Sequence, residues 1–522
     1  MRPSSPRGRG SSLGRLPPIS PRNKSQPAVV LAPPPDLPKS VSETSEPSSF
    51  FTTLVTYWVY LIALLLGLLR DVCARITGRS QFFVPQPKHF YGFPPILNPI
   101  DSFYSRRLYY RYRDVWNRPI SGPPGSEFDV YVRVADPQTN RLKMIPGQHR
   151  KMLNLGSYNY LGISGESWDT TCAPKVFSVL ESHGQSSSTA DLVTNIQYEL
   201  EQTVAKFLGK EDCVVFSQGY GTNAWTIPSL MGGKGTLVIS DSLNHTSIVN
   251  GVRSSGAIVR VFRHNDENDL ENLLKHAIAF GQPKTFLPFR KILVMTEGIF
   301  SMEGEVCRLK QVAAVCKRYK AYLYVDEAHS IGALGKTGRG VCEQTGVSPN
   351  DVDVLMGTFT KSFGAMGGYI ASSKPMCDYL RTCAYKESYM MSPVVTAQIL
   401  ASFAFISSTK QGLYMIQNIK DNANYFRSKL EAMGCEVLGD RDSPVIPMML
   451  YIPTKISLFS KMCFDRNVAV VVVGFPAVPL NAARARICIS AGHSREQLDR
   501  ALDVIEEVVG ILKLRYKRSV FG

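Results

Sequence analysis

From Phe50 to Leu69 the chain runs without a charged side chain. A helix needs about 20 apolar residues to cross a bilayer, so this stretch is long enough to do so. It starts too far in for a signal peptide, and no small-residue cleavage site follows. The pattern predicts a transmembrane helix; the alternative is a helix lying in the membrane interface or on a partner subunit. Arg70, Arg75, Arg79 and Lys88 follow it, whereas Lys39 precedes it beside Asp36, Glu43 and Glu46. The positive-inside bias therefore places the following body in the cytoplasm. From about residue 150 the pattern changes. Ile196, Leu200, Val204 and Leu208 recur at helical spacing. Leu237–Ser240, Ala257–Phe262, Ile292–Met295 and Tyr322–Val325 are short apolar runs of the kind that form buried strands. Helix-length sequence separates each run from the next, which predicts crossover connections and a largely parallel sheet. Near the end, Val468–Val473 and Arg486–Ser490 read as strands of a smaller α+β unit. Ser494 with Gln497 then caps a helix whose apolar side is Leu498, Leu502, Ile505 and Val509.

The expected organisation is a disordered Pro/Ser/Arg-rich tail over 1–49 and a membrane helix over 50–69. A juxtamembrane and N-terminal segment over 70–149 follows, then a large domain over 150–410 and a small domain over 411–522. Composition changes this picture little: 44% apolar and 20% charged residues are ordinary for a globular enzyme. The formal charge of +16 raises the question of nucleic acid. Its distribution argues against that partner, because the tail and the stretch from Arg70 to Arg118 hold most of the excess. The 11 cysteines include no Cys-x-x-Cys and no cluster at metal-ligand spacing, so reduced thiols and no metal site are expected.

Candidate chemistry centres on Lys361, in the run Met356-Gly-Thr-Phe-Thr-Lys-Ser-Phe-Gly-Ala-Met-Gly-Gly-Tyr369. Thr358, Thr360, Ser362 and nearby glycines surround it with small residues, where a planar ligand and its phosphate can approach the backbone. Upstream, the apolar run Tyr322–Val325 ends abruptly in Asp326, Glu327, Ala328 and His329. A lysine that captures an aldehyde and a buried aspartate that pairs with a pyridine nitrogen together point to pyridoxal phosphate (PLP). Taken singly, each residue keeps a structural alternative: Asp326 as a helix-capping aspartate, His329 as a core histidine, His245 in Asp241-Ser-Leu-Asn-His245 as a surface-turn histidine. The Gly-rich turn Phe216-Ser-Gln-Gly219-Tyr220-Gly-Thr-Asn223 enters a helix, where backbone N–H groups and the dipole suit a phosphate. Thr358 can add a hydroxyl to the same phosphate.

From about residue 88 to the end, the chain resembles the α-oxoamine synthases. The resemblance is carried by Leu155-Gly-Ser-Tyr-Asn-Tyr-Leu-Gly162, Ser240-Asp-Ser-Leu-Asn-His-Thr-Ser247, Glu297-Gly-Ile-Phe-Ser-Met-Glu-Gly304, Val325–Gly335, Gly357-Thr-Phe-Thr-Lys-Ser-Phe-Gly364, Val471–Pro476 and Arg484–Ser490. It implies PLP-dependent transferase fold type I: an α/β large domain with a mostly parallel sheet, a smaller α+β C-terminal domain, and an active site at a subunit interface. It also implies Lys361 as the Schiff-base lysine, Asp326 at the pyridinium, His329 at the phenolic oxygen and His245 on the ring face. Thr358, with Gly219 and Tyr220, would hold the phosphate, and Ser392 would do so across the interface. Arg486 would take the substrate carboxylate, with Asn159 near the bound substrate. Within the family the likeness is to lysine-bearing catalytic subunits that condense L-serine with palmitoyl-CoA and release carbon dioxide. Such subunits imply an obligate heterodimer with a lysine-less partner, small membrane regulators, and the endoplasmic reticulum membrane with the catalytic body facing the cytoplasm.

Several stretches depart from the family pattern. Gly184–Val193 lacks the usual Arg-Gln-Glu, the segment before Met391-Ser-Pro-Val-Val is about two residues short, and Pro476-Ala-Val-Pro479 lacks a hydroxyl. Each bears on substrate or partner contacts and none on Lys361. Two competing readings fare worse. Asp326-Glu-Ala-His329 is also a helicase-type run, but Gly335-Lys336-Thr337 follows it and lacks the first glycine of a phosphate loop. Other α-oxoamine synthases, using glycine or alanine with another acyl-CoA, remain the serious alternative, although those making haem or biotin precursors would need no membrane segment.

Overall fold

The computed structural model describes residues 50–77, 103, 114–135, 142–165, 167–185, 194–383 and 390–516. The expected disordered tail lies outside these residues. So do most of the juxtamembrane segment, much of the altered 184–193 loop and residues 384–389.

Helix α1 (Phe50–Ile76) contains the uncharged stretch, and its Phe50–Cys73 portion is long and apolar enough to cross a membrane. Most of its surface is exposed, Trp58, Leu65 and Leu69 included, while Thr56, Gly67 and Asp71 are buried. Strands β1 (Ile120–Ser121), β2 (Glu127–Ala135) and β3 (Leu142–Asn154) form an antiparallel ribbon. Helices α2 (Ala173–His183) and α3 (Asn195–Leu208) precede the main sheet, and α3 buries Ile196, Leu200, Val204 and Leu208 as their spacing predicts. Thr194 caps α3 by accepting the Gln197 amide, and Gly209 ends it in the left-handed region.

Then strand and helix alternate: β4 (Asp212–Phe216), α4 (Gly219–Met231), β5 (Thr236–Asp241), α5 (Thr246–Ser255), β6 (Ile258–Phe262), α6 (Glu267–Phe280), β7 (Lys291–Glu297), α7 (Leu309–Tyr319) and β8 (Tyr322–Asp326). Next come β9 (Val354–Thr358), β10 (Gly368–Ser372) and α8 (Lys374–Cys383). The seven strands lie in the order β4-β10-β9-β8-β7-β5-β6. All neighbours are parallel except β10, which runs antiparallel to both β9 and β4. The expectation of a mostly parallel sheet therefore holds, with one reversed strand. That strand follows β9 through a short connection containing Lys361, too short for a crossover helix.

Both faces of the sheet are covered, which is why its strands read as unbroken apolar runs. Leu323, Val325 and Leu355 face one core with α3, α6 and α7, while Tyr324, Val354 and Met356 face the other with α4, α5 and α8. A separate core forms around the C-terminal elements, which follow α9 (Pro393–Ser408) and comprise α10 (Lys410–Ala432), β11 (Val445–Tyr451), α11 (Pro453–Asp465), β12 (Val468–Ala469), β13 (Val471–Val473), β14 (Ala483–Cys488) and α12 (Arg495–Leu512). Here the structure refines the sequence reading. The Val468–Val473 run is not one strand: β12 adds to β3 in parallel, and β13 pairs with β14 in a different sheet. The second strand lies at Ala483–Cys488 and stops short of Ser490. The Ser494–Gln497 capping box forms as expected.

One buried ion cluster ties these layers together. Arg381 on α8 donates to Asp212 at 2.6 Å, to Glu201 of α3 at 2.9 Å and to the Cys213 carbonyl at 2.8 Å. Burial raises the Glu201 pKa in spite of that partner. Arg381→Met leaves two carboxylates without their cation, and about 3 kcal/mol of stability should be lost. Urea unfolding of the detergent-solubilised protein would read this as a lower midpoint.

Candidate active site

The C-terminal ends of parallel strands expose uncommitted backbone groups at one edge of the sheet, and ligands collect there. Strand β8 ends in Asp326, only 4% exposed. Its Oδ2 accepts from Asn223 Nδ2 at 2.8 Å and its Oδ1 from the Ala328 amide at 2.9 Å. Asn223 is itself held, accepting from the Tyr324 hydroxyl at 2.7 Å and donating to Ser247 Oγ at 2.9 Å. Among the described residues the carboxylate is fixed by neutral donors with no cation bonded to it, and its remaining lone pairs are available.

Lys361 sits in the β9–β10 connection, and with Asp326 it lines a cavity of about 210 Å³. Gly219, Tyr220, Asn223, His245, Ser247, Glu297, His329, Thr358 and Thr360 line it as well. Desolvation lowers the Lys361 pKa to about 8, against the opposing pull of Asp326 and Glu297. The surroundings are less uniformly small than the local sequence implied, for the Tyr158 ring lies 5.7 Å from Lys361 Nζ. The same ring carries the Arg486 guanidinium 4.7 Å from its centroid and meets the His329 ring edge-on at 5.1 Å. Tyr158 therefore bridges the lysine and the arginine.

Arg486 is buried on β14, and its Nε has no hydrogen-bond partner. Its Nη1 makes a weak contact with Met302 Sδ at 3.6 Å, and the Tyr158 hydroxyl and the Cys488 thiol lie beside the guanidinium. The neighbouring Arg484 instead pairs with Glu303 at 3.3 Å. A buried guanidinium without a carboxylate is costly unless an anion joins it. His329 is 6% exposed, and its Nδ1 lies 2.7 Å from the Tyr160 hydroxyl. Burial, with Lys361 and Arg486 close by, drives its pKa well down, so it is neutral. His245 caps α5 through Nδ1, which accepts from the Ser247 amide at 3.2 Å. Its own amide donates to Glu297. Burial, reinforced by Asp326, pushes the Glu297 carboxyl well above the usual range.

These residues fit a planar pyridine bearing an aldehyde and a phosphate. The side chain of Gln218 does not cap α4, which leaves first-turn amides for an anion. A Cβ at Gly219 would come within 2.9 Å of Thr358 Cγ2, so only glycine lets that helix start meet the end of β9. Thr358, accepting from Thr360 Oγ1 at 3.2 Å, supplies hydroxyls at the same point. Asp326 lies across the cavity lining, suited to a ring N–H, and Lys361 suits the aldehyde.

The structure thus brings Lys361, Asp326, His329, His245, Thr358, Gly219 and Tyr220 to one cavity. Arg486 joins them through Tyr158. Three predicted residues do not line it, Arg486 and also Asn159 and Ser392. The Asn159 amide donates to the Pro124 carbonyl at 2.9 Å, and Ser392 begins α9 with its hydroxyl on the Gln185 carbonyl at 2.5 Å. Sequence reasoning missed Asn223, Tyr158 and Glu297 as site residues; their sole signal was membership of the same short motifs. A wider groove of about 870 Å³, rimmed by Lys175, Lys206 and Arg339, has more room but none of these acid and base groups.

Comparison with known proteins agrees with this geometry. Residues 150–505 match the model of the aminotransferase class I and II family. Long chain base biosynthesis protein 2a of Arabidopsis thaliana is 50% identical over 475 residues, covering 90% of this chain and 95% of the relative. Serine palmitoyltransferase 3 of Homo sapiens is 43% identical over 486 residues, covering 92% and 88%. Among solved structures, Sphingomonas wittichii serine palmitoyltransferase superposes with a TM-score of 0.69 at 26% identity, covering 82% of this chain and 99% of its own. A high-resolution structure of SPT with PLP gives 0.70 at 26% identity, covering 81% and 100%.

The lowered lysine pKa can be checked directly. Acylation of Lys361 by a small amine-selective reagent should rise with a midpoint near pH 8, far below that of an exposed lysine at about 10.4. Asp326→Asn removes a charge that favours the ammonium, so the midpoint should move lower still.

Proposed function

The chain belongs to the aminotransferase class I and II family and, within it, to the serine palmitoyltransferases of long-chain-base biosynthesis; from that premise we propose that it condenses L-serine with palmitoyl-CoA. The products are 3-ketodihydrosphingosine, coenzyme A and carbon dioxide, the first step of sphingolipid synthesis. The observation that carries this reading is a low-pKa lysine and a buried aspartate in one cavity, with the buried Arg486 joined to that lysine through the Tyr158 ring.

Pyridoxal phosphate, when bound, supplies the aldehyde that captures the amino acid and a protonated ring that accepts electrons from Cα. Everything else falls to the protein. Asp326, clamped by Asn223 and the Ala328 amide, stabilises positive charge at the ring nitrogen. The first turn of α4, at Gly219 and Tyr220, and the Thr358 hydroxyl hold the phosphate. Lys361 holds the aldehyde in the resting protein and serves as the base for the serine Cα proton. A pKa of about 8 leaves an appreciable neutral fraction near physiological pH. His245 would cover the ring face, and neutral His329, held by the Tyr160 hydroxyl, would face the phenolic oxygen. Arg486 takes the serine carboxylate, with Tyr158 beneath the guanidinium holding its plane. Fixing that carboxylate orients first the Cα–H bond and then the bond to carbon dioxide. Asn159 would act near the substrate through its loop, and Ser392 through a second subunit.

The large domain is assigned to 150–410 and the small domain to 411–522. Helix α1 anchors the protein in the endoplasmic reticulum membrane, with the catalytic body on the cytoplasmic side; its apolar, largely exposed surface supports the anchoring, and the family resemblance supports the compartment. A lysine-less second subunit is the proposed partner, with small membrane regulators alongside. Nucleic acid has no part in this reading.

Membranes containing this chain, given serine and palmitoyl-CoA, should form a ketosphingoid base when the lysine-less partner is co-expressed. Product from this chain alone would mean a self-sufficient homodimer, and none in either case would overturn the substrate assignment. Lys361→Ala should abolish turnover with the fold intact. Asp326→Asn should still take up the cofactor but lose at least 100-fold in rate, on the order of what removing one preorganised electrostatic group costs. Carbon dioxide release from serine at the wild-type rate by either variant would contradict its role.

A further inference from the structure

Behind the cavity lies a buried histidine that the mechanism above does not use. His264 follows β6, and its side chain is 1% exposed. Its Nδ1 lies 2.9 Å from Asp241 Oδ1 and its Nε2 3.1 Å from Glu305 Oε2. With a carboxylate oxygen nearest each nitrogen, and the Asn265 Nδ2 farther from Nε2 at 3.4 Å, both nitrogens donate and the ring is an imidazolium. Burial alone would lower its pKa, but the two hydrogen-bonded carboxylates outweigh that and raise it to about 10.

Each carboxylate belongs to a different active-site loop. Asp241 ends β5 and folds the turn that carries His245, because Oδ1 also accepts the Leu243 amide at 2.9 Å. Its Oδ2 accepts the Asn265 amide at 3.1 Å. Glu305 lies at the neck of a hairpin spanning residues 298–307, closed by bonds from the Phe300 amide to the Glu305 carbonyl and from the Cys307 amide to the Gly298 carbonyl. His264 also meets the Phe300 ring edge-on at 4.2 Å, so it grips both strands of that neck. The tip of the hairpin holds Met302, whose sulfur touches Arg486 and whose carbonyl accepts from Arg484 at 2.8 Å.

We propose that His264 is a positioning residue that locks the His245 turn to the Met302 hairpin, so that the face-covering imidazole and the carboxylate-binding arginine keep one register. Nothing in the condensation requires a charged histidine at this depth, but a rigid spacing between cofactor and substrate sites does. The imidazolium shares two donors between these loops and adds to two other links, the His245 amide on Glu297 and the Asn265 side chain, which bonds the Val306 carbonyl at 3.2 Å and the Arg308 amide at 3.2 Å. The proposal rests on the roles given above to His245 and Arg486.

The test uses the full-length chain purified in detergent with its lysine-less partner, and reads PLP affinity, serine KM, kcat and thermal unfolding separately. His264→Phe should weaken PLP binding to the apoprotein and raise the serine KM, each on the order of tenfold, as loss of an outer-shell orienting bond does elsewhere. His264→Gln keeps one donor and should recover part of both. Because His264→Phe could fail to fold, Glu305→Gln is the second variant: its carboxylate is 28% exposed, and the change acts on the hairpin side alone. It should raise the serine KM and leave PLP affinity close to wild type. Asp241→Asn should show the converse. Variants that lower only the unfolding temperature, with PLP affinity and serine KM unchanged, would overturn the proposal and leave His264 a stability residue. Absence of PLP binding or serine turnover in the wild-type complex would instead sink the functional reading on which it rests.

Discussion

A carboxylate at the end of a buried parallel strand constrains the rest of this structure. Asp326 ends the apolar run Tyr322–Val325, and among the described residues it has no cation bonded to it. An anion taken out of water must be hydrogen-bonded or neutralised. Asn223 and the Ala328 amide hydrogen-bond it, and a protonated ring nitrogen would complete the neutralisation. Around that point the sheet is ordered so that β7, β8 and β9 lie side by side, delivering Glu297, Asp326 and Thr358 to one edge.

The electrostatics of the cavity follow from the same burial. Lys361, Glu297 and His329 are all shifted towards their neutral forms, chiefly because charge is disfavoured there. A lysine that must alternate between holding an aldehyde and moving a proton benefits from that shift. Arg486 cannot neutralise itself, and in the proposed reaction its charge is answered by the serine carboxylate. Tyr158, lying between it and Lys361, makes the distance from carboxylate to base a property of one rigid ring.

The supporting layer is polar where a simple core would be apolar. His264, Asp241 and Glu305 connect two loops, and Arg381 with Glu201 and Asp212 connects three elements. Buried ion pairs contribute little net stability compared with well-packed apolar groups, but breaking one is expensive. Each cluster fixes segments far apart in sequence: the His245 turn and the Met302 hairpin in one, α8 with β4 and α3 in the other.

Much of this was legible along the chain. The membrane-length run at Phe50–Leu69, the helix at Ile196–Leu208, the four apolar strands and the Ser494 cap follow from local patterns, because backbone hydrogen bonding and one-sided or two-sided burial leave periodic signatures. Lys361, Asp326, His245, His329 and Thr358 were readable for a similar reason, since polar residues that interrupt apolar strands or stand among glycines demand a ligand. Contacts between distant segments were not readable. That β12 would leave β13 to join β3, that Asn223 would orient Asp326, that Tyr158 would lie under Arg486, and that His264 would join two loops all depend on which segments meet in space. Sequence by itself determined the elements and the chemistry each carries; the tertiary fold decided which of those groups share a cavity, because hydrogen bonds and pKa shifts act over a few ångströms and have no regard for separation along the chain.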